Sequence, residues 1–361
     1  MARIWAPDNY LHTFNAPRAP QRHQFVRGRY LPTQRITRAL EGLAVPTGGA
    51  YDALHTINRI PITARPWIST FESAIPRTFG RGGTQVRRVL RERILRDNCG
   101  GLIAMSDYAR RRMIRDNQGW SGLNAALTKT QVIHPNLPLT RTEPKRLTGD
   151  GLHLLFAGRD WARKGGVVAL RAMREAERRG LPLRLTMVSS MDQASYAQHP
   201  DATLYAADRA LLTLPNVTHH ASLPNAEVLR LMAEADFTLL PTTHDTYGFS
   251  VLEGMAAGTP AIVTSTGALP EVVQDGASGI VLPVPQDDVG DYLHAREVSD
   301  WARWDAFYDD LAKQMLTRLE GVLSDPDRYT RMSAGSIARI QAHHEAAQIG
   351  AQLEGIYDRL T

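Results

Sequence analysis

Apolar residues recur along this chain with two different periods. Residues 151–158 and 235–241 are short apolar runs closed by a glycine or a proline, the pattern of strands buried on both faces of a parallel sheet. Each gives way to helical spacing, over residues 167–179 in one case and through Val251, Leu252, Met255 and Ala256 in the other, where Gly258 and Pro260 stop the helix. The amino-terminal half offers four more strands, one beginning at Arg3 and the others over residues 51–58, 66–72 and 101–106; Ser106 is placed to cap the helix after the last of them. Strands alternating with helices predict an α/β chain built on parallel sheets. Pro138, Pro144 and Gly149 interrupt the periodicity, so the join between two domains is expected within residues 139–150, with domains over 1–145 and 146–342. Residues 9–34 are polar and broken by prolines, whereas residues 333–360 are helical by pattern.

Composition bounds the function. At 361 residues and 43% hydrophobic content, the chain is long enough for two cores. Its single cysteine, Cys99, excludes an internal disulfide framework and suits a reducing cytoplasm. No apolar run approaches the roughly 20 residues of a membrane span, and the first seven residues are too short and broken for a signal peptide, so a cytoplasmic location is expected. The net charge of +5 is concentrated over residues 85–96, where arginines alternate with Val86, Val89, Leu90, Ile94 and Leu95 at helical spacing. Two readings stand: a peripheral contact with anionic lipid at the inner membrane face, or an arginine-rich solvated face above an ordinary core stripe. No stacking aromatics accompany these arginines, so nucleic acid is not an expected partner.

The candidate chemistry lies at the carboxyl ends of two strands. Asp245 sits in the loop after one apolar run and Glu253 on the helix that follows, with the free N–H groups of a helix start near Gly248 and Phe249 between them. Phosphate on the amides and hydroxyls on the carboxylates would suit such a place; an ordinary βα turn with a solvated Asp is the alternative. Upstream, Gly158, Arg159 and Lys164 precede another helix start. The chain has only four lysines (Lys129, Lys145, Lys164 and Lys313), so a lysine beside Gly165 and Gly166 stands out. Arg159 can grip a phosphate bidentately and Lys164 supplies a point charge. Asp325 and Asp327, the His219–His220 pair and the His343–His344–Glu345 run lack the partners or placement of metal ligands, so no metal is expected. The glycines of residues 79–83 follow no convincing strand, and no phosphate-loop run is present.

These segments resemble the family 4 glycosyltransferases, retaining enzymes of the GT-B type that use nucleotide sugars. The family's Gly-Arg…Lys-Gly segment is matched by Gly158, Arg159, Lys164 and Gly165, and its paired acids around a Phe-Gly turn by Asp245, Tyr247, Gly248 and Glu253. The first acid here is one methylene shorter, and the aromatic is Tyr. The likeness continues through Gly258, Gly267, Pro270, Glu271, Asp275 and Gly279, covering roughly residues 100–285.

The resemblance implies two Rossmann-like domains facing across a cleft, with a terminal helix over about residues 343–361 returning to the first domain through Ile349, Leu353, Ile356 and Tyr357. It implies that a sugar passes from a UDP- or GDP-linked donor to an acceptor hydroxyl on a glycan, lipid-linked or small molecule, without metal or other cofactor. Arg159 and Lys164 would hold the diphosphate, with the amides of Tyr247, Gly248 and Phe249 and neighbouring Thr246 capping the distal phosphate. Asp245 would face the transferred sugar and Glu253 the ribose, while Ser189 and Leu223 would frame the base. His55, Asn58 and Glu72, at strand ends of the first domain, are expected to face the cleft, with His55 and Glu72 as catalytic candidates; a buried or loop-capping role is the other reading of all three. A nucleotide-sugar epimerase, a phosphorylase of the same fold and a non-catalytic nucleotide-sugar sensor are the alternative functions.

Overall fold

The computed structural model describes residues 1–8, 22–149, 151–193 and 196–361, so residues 9–21 of the proline-broken stretch lie outside the described residues. The chain divides into two units, Met1–Pro138 with His343–Thr361, and Leu139–Ala342. The boundary falls a few residues before the expected one, for a local reason. The N–H groups of Thr140 and Arg141 donate to the Ala256 carbonyl, and the Lys145 N–H donates to Ser333 Oγ at 2.8 Å, which ties this segment to the second unit.

In chain order the strands of the first unit are β1 (Arg3–Pro7), β2 (Gln24–Gly28), β3 (Leu43–Ala44), β4 (Ala53–Ile57), β5 (Ile60–Pro61), β6 (Trp67–Phe71), β7 (Cys99–Ala104) and β8 (Thr130–Val132). Six of them form a parallel sheet in the order β2-β1-β4-β6-β7-β8, while β3 and β5 pair separately. The four strands anticipated from sequence are β1, β4, β6 and β7. The edge strands β2 and β8 have no fully buried residue, so no apolar run announces them. Ser106 caps the helix Asp107–Asp116 as expected, its hydroxyl accepting from the Ala109 N–H at 3.0 Å.

The second unit contains β9 (Leu152–Ala157), β10 (Leu183–Val188), β11 (Val217–His220), β12 (Phe237–Leu240), β13 (Ala261–Thr264) and β14 (Gly279–Leu282), all parallel, in the order β11-β10-β9-β12-β13-β14. Strand order reverses between β9 and β12. In open α/β sheets, the crevice beyond the carboxyl ends of the strands at such a reversal is where ligands bind. The helix Gly166–Arg178 covers one face with Val167, Val168, Leu170 and Met173, and the long helix Trp301–Ser324 packs against it. Between them Arg171, 7% exposed, reaches Asp208 through two hydrogen bonds of 2.7 and 3.0 Å and also Asp305 and Asp309. Deleting one partner of such a buried pair typically costs about 3–5 kcal/mol, because the other charge is stranded.

The carboxyl-terminal helical stretch is two helices, Pro326–His343 and Ala346–Leu360. They break where the chain passes from the second unit to the first: the His344 carbonyl accepts from the Leu137 N–H, and the Glu345 side chain caps the last helix. Ile349, Leu353, Ile356 and Tyr357 then pack with Ile4, Ala53, Ile68 and Ile103 of the first sheet.

Candidate functional site

Two loops of the second unit, far apart in sequence, meet at the β9–β12 reversal. Residues 158–165 follow β9, and residues 241–248 follow β12, which pairs directly with β9. Gly165 fastens them. Its φ of +92° is left-handed, and a Cβ there would lie 2.3 Å from the Pro241 carbonyl oxygen, so only glycine permits the approach. That contact brings Lys164 Nζ to 2.8 Å from Asp245 Oδ2, uniting the cation of one motif with the acid of the other.

Asp245 is held on both oxygens. Oδ2 accepts from Lys164, and Oδ1 accepts from the N–H groups of Tyr247 at 3.2 Å and Gly248 at 3.0 Å. Burial pushes this carboxyl up, but the Lys164 charge and hydrogen bond, the Tyr247 N–H and the Arg163 charge together outweigh it. The group is held below the ordinary carboxylate range and is ionised at neutral pH. This arrangement corrects one expectation: two of the amides assigned to a distal phosphate are engaged by the protein's own carboxylate. The physical cause is the short aspartate side chain, which closes an Asx turn onto the N–H groups two and three residues on. Phe249 opens the helix Phe249–Ala256, where the N–H groups of Val251 and Leu252 donate to the Gly248 carbonyl at 2.9 and 3.3 Å.

The remaining donor-side candidates take distinct positions. Gly158 lies under the Lys164 side chain, where a Cβ would meet Lys164 Cδ at 2.8 Å. Arg159 is 85% exposed at its side chain and pairs with Asp192 at 3.1 Å. Ser189, after β10, is buried, and its hydroxyl accepts from the Met191 N–H at 3.1 Å. Leu223, after β11, packs against the cluster of Leu155, Val188, Met232 and Ala235. Thr246 is half-buried; the Tyr247 ring is fully buried, 5.4 Å from the Phe249 ring, and so belongs to the core of the turn. Glu253 lies half-buried, one turn into its helix.

In the first unit the outcome differs. The expectation of His55 at an open cleft is overturned: its ring is fully buried in mid-sheet, with Nδ1 2.6 Å from Tyr357 Oη and Nε2 2.6 Å from Thr70 Oγ1, and burial lowers its pKa to about 3. Nothing near His55 in sequence signals this, because Tyr357 comes from the last helix. Glu72 follows β6 and retains partial exposure. Its Oε1 accepts from Asn58 Nδ2 at 3.2 Å and lies 3.6 Å from Arg77, and its N–H donates to Asn58 Oδ1 at 3.1 Å. The arginines of residues 85–96 are also less available than their pattern implied. Within the helix Gly83–Leu95, Arg87 donates to Thr78, Arg91 to Asn117 and Arg93 to the Thr63 carbonyl, leaving Arg88 and Arg96 exposed. Among the described residues, no helix is long and apolar enough to cross a membrane.

Sequence reasoning passed over Arg163, treating it as one more charge in a basic loop. It is 7% exposed, donates to the His244 carbonyl and to Asp160 at 2.6 Å each, and lies 5.1 Å above the Tyr196 ring. An arginine next to a lysine at a glycine turn is the only sequence signal of it.

Residues 151–296 match the family described as Glycosyl transferases group 1. A D-inositol 3-phosphate glycosyltransferase of Corynebacterium aurimucosum is 26% identical over 281 residues, covering 76% of this chain and 60% of that protein. One from an Arthrobacter species is 29% identical over 163 residues, 44% of this chain and 35% of that protein. The chain thus spans 60% or less of the length of these relatives. In structure it is similar to Anabaena Alr3699/HepE solved in complex with UDP, with a TM-score of 0.63 at 13% identity, covering 99% of this chain and all of that one. It is also similar to sucrose-phosphate synthase from Thermosynechococcus elongatus, with a TM-score of 0.61 at 16% identity over 99% of this chain and 88% of that one. Residues 151–296 of the second unit are therefore similar to the group 1 glycosyltransferases, and the two parallel sheets share the fold of the glycosyltransferase structures they resemble.

Proposed function

We propose that this chain is a retaining glycosyltransferase that moves a sugar from a UDP- or GDP-linked donor to an acceptor hydroxyl with the anomeric configuration kept. The observation that carries this reading is the Lys164–Asp245 contact at the β9–β12 reversal. Cleavage of the bond between anomeric carbon and diphosphate sends its electron pair to the leaving group. Fixed positive charge placed where that negative charge grows lowers the barrier, and removal of one such group commonly costs about 10²–10³-fold in rate. We assign that charge to Lys164, to Arg159 and to the positive amino-terminal end of the helix Phe249–Ala256. Asp245 is the group for the hydroxyls of the transferred sugar, and Glu253 for the ribose. Gly158 and Gly248 give the backbone close approach, Thr246 lines the turn, and Ser189 and Leu223 flank the base. Two cations and helix dipoles supply the charge that a metal would otherwise bring, so the reaction is read as metal-independent and should be indifferent to a chelator.

The first unit is read as the acceptor side, with Glu72 as its candidate contact for an acceptor or donor hydroxyl. Relatives named as acting on D-inositol 3-phosphate make that compound the first acceptor to try, beside simple glycans and lipid-linked acceptors. A cytoplasmic location, with contact to anionic lipid through the exposed Arg88 and Arg96, remains part of the proposal. The test is incubation with UDP- and GDP-sugars: slow donor hydrolysis and transfer with retained configuration support the reading, whereas donor binding without turnover favours a sensor.

A further inference from the structure

We propose that Arg163 is the positioning residue of this site: it staples the loop after β9 to the loop after β12 and thereby sets where Lys164 and Asp245 stand. The inference rests on the glycosyltransferase reading above and adds a residue outside the matched motif positions. Arg163 joins the loops through both its side chain and its main chain. One guanidinium nitrogen donates to the His244 carbonyl, immediately before Asp245, and another to Asp160 within its own loop, both at 2.6 Å. Its carbonyl accepts from Thr242 Oγ1 at 2.8 Å, from the Thr243 N–H at 2.9 Å and from Thr243 Oγ1 at 3.1 Å. The half-exposed Tyr196 ring covers the outer face of the guanidinium, 5.1 Å from its carbon.

The geometry explains why an arginine stands here. A planar fork holds a carboxylate and a carbonyl in fixed relative directions, whereas the three donors of an ammonium rotate on a flexible stem. Lys164 follows it directly, and Asp245 follows the residue whose carbonyl it grips, so the fork fixes both ends of the 2.8 Å contact. Misplacement of reacting groups by about 1 Å can cost on the order of 10²-fold in rate. Its charge is a separate contribution, since the Arg163 cation is among the groups that keep Asp245 ionised.

Two variants separate these contributions. Arg163→Lys keeps the charge and loses the fork; Arg163→Met loses both. Turnover of whichever of UDP-glucose and GDP-mannose the wild type consumes would be followed against pH, with Lys164→Ala alongside and thermal unfolding as the check on folding. Arg163→Lys is expected to lose about ten- to hundredfold in kcat/KM with the acidic limb of its pH profile unmoved. Arg163→Met should lose at least as much, with that limb displaced to higher pH. Loss of stability without any change in kcat/KM or in the pH limb would show a purely structural arginine and overturn the inference, as would full activity in both variants. If Arg163→Met does not fold, wild-type kcat/KM in Arg163→Lys suffices to overturn it. Full turnover by Lys164→Ala would instead bring down the underlying reading.

Discussion

The two units use the same architecture, a six-stranded parallel sheet, and place their titratable groups in opposite ways. In the second unit, charged groups gather beyond the carboxyl ends of β9 and β12, and Asp245 is kept ionised by Lys164 and Arg163. In the first, the most perturbed histidine lies inside the sheet, neutral and wholly enclosed. A perturbed group is therefore not by itself a functional one; what separates the two is access. His55 owes its shift to burial alone and has both ring nitrogens occupied by hydroxyls, which is the signature of a satisfied core residue.

The largest expected effect falls on Lys164. Lys164→Ala removes the charge at the strand reversal and should lower donor turnover by about 10²–10³-fold, with a lower unfolding temperature as well, because Asp245 is left without its cation; Glu253→Ala, in the same assay, should weaken donor binding. Gly165→Ala comes next. It forces a Cβ into the Pro241 carbonyl at a left-handed backbone position, so the second unit should lose about 1–3 kcal/mol from backbone strain alone, along with its affinity for nucleoside diphosphates.

Acid should act on the surroundings of His55 before those of Asp245. The folded His55 value, about 3, lies below the ordinary histidine value of roughly 6.5, so unfolded chains bind more protons between those limits. The stability due to neutral His55 is complete above that range and is lost as pH falls from about 6.5 towards 3. Asp245 is also depressed, but from an ordinary value of roughly 3.9, so its contribution persists until lower pH and disappears as pH falls through the folded value. Hydrogen exchange followed segment by segment should show the strand around His55 loosening at higher pH than the turn around Asp245. Replacing His55 with Gln should flatten the pH dependence of the first unit; an unchanged slope would break the contrast.

Smaller effects are expected at the exposed groups. Glu72→Gln should leave nucleoside diphosphate affinity unchanged while lowering transfer. Arg159→Ala should weaken that affinity by only about two- to fivefold, since a solvated charge contributes about 1 kcal/mol or less, readable by calorimetry as a shallower loss than in Lys164→Ala.

What the sequence disclosed follows the same division. Local patterns carried the second unit: apolar runs closed by glycine or proline located β9 and β12, and the glycine turns located the loops after them. The pairing of Lys164 with Asp245 was not legible, because it depends on β9 and β12 being neighbours although β10 and β11 intervene in the chain. The role of Arg163 was hidden for the same reason, its partners being His244, Thr242 and Thr243 on the other loop. In the first unit, β2 and β8 lie at sheet edges and lack continuous apolar sequence, and the enclosure of His55 depends on Tyr357, 302 residues later. Periodicity reports which residues are buried, but not which distant segment buries them.

The central claim is that a nucleoside diphosphate is cradled at the β9–β12 reversal. Calorimetric titration of the whole chain with UDP and with GDP, repeated on Lys164→Ala, tests it most directly. Saturable binding of one nucleotide by the wild type, weakened at least tenfold in Lys164→Ala, is the predicted result; binding of neither, or equal binding by both proteins, would contradict it.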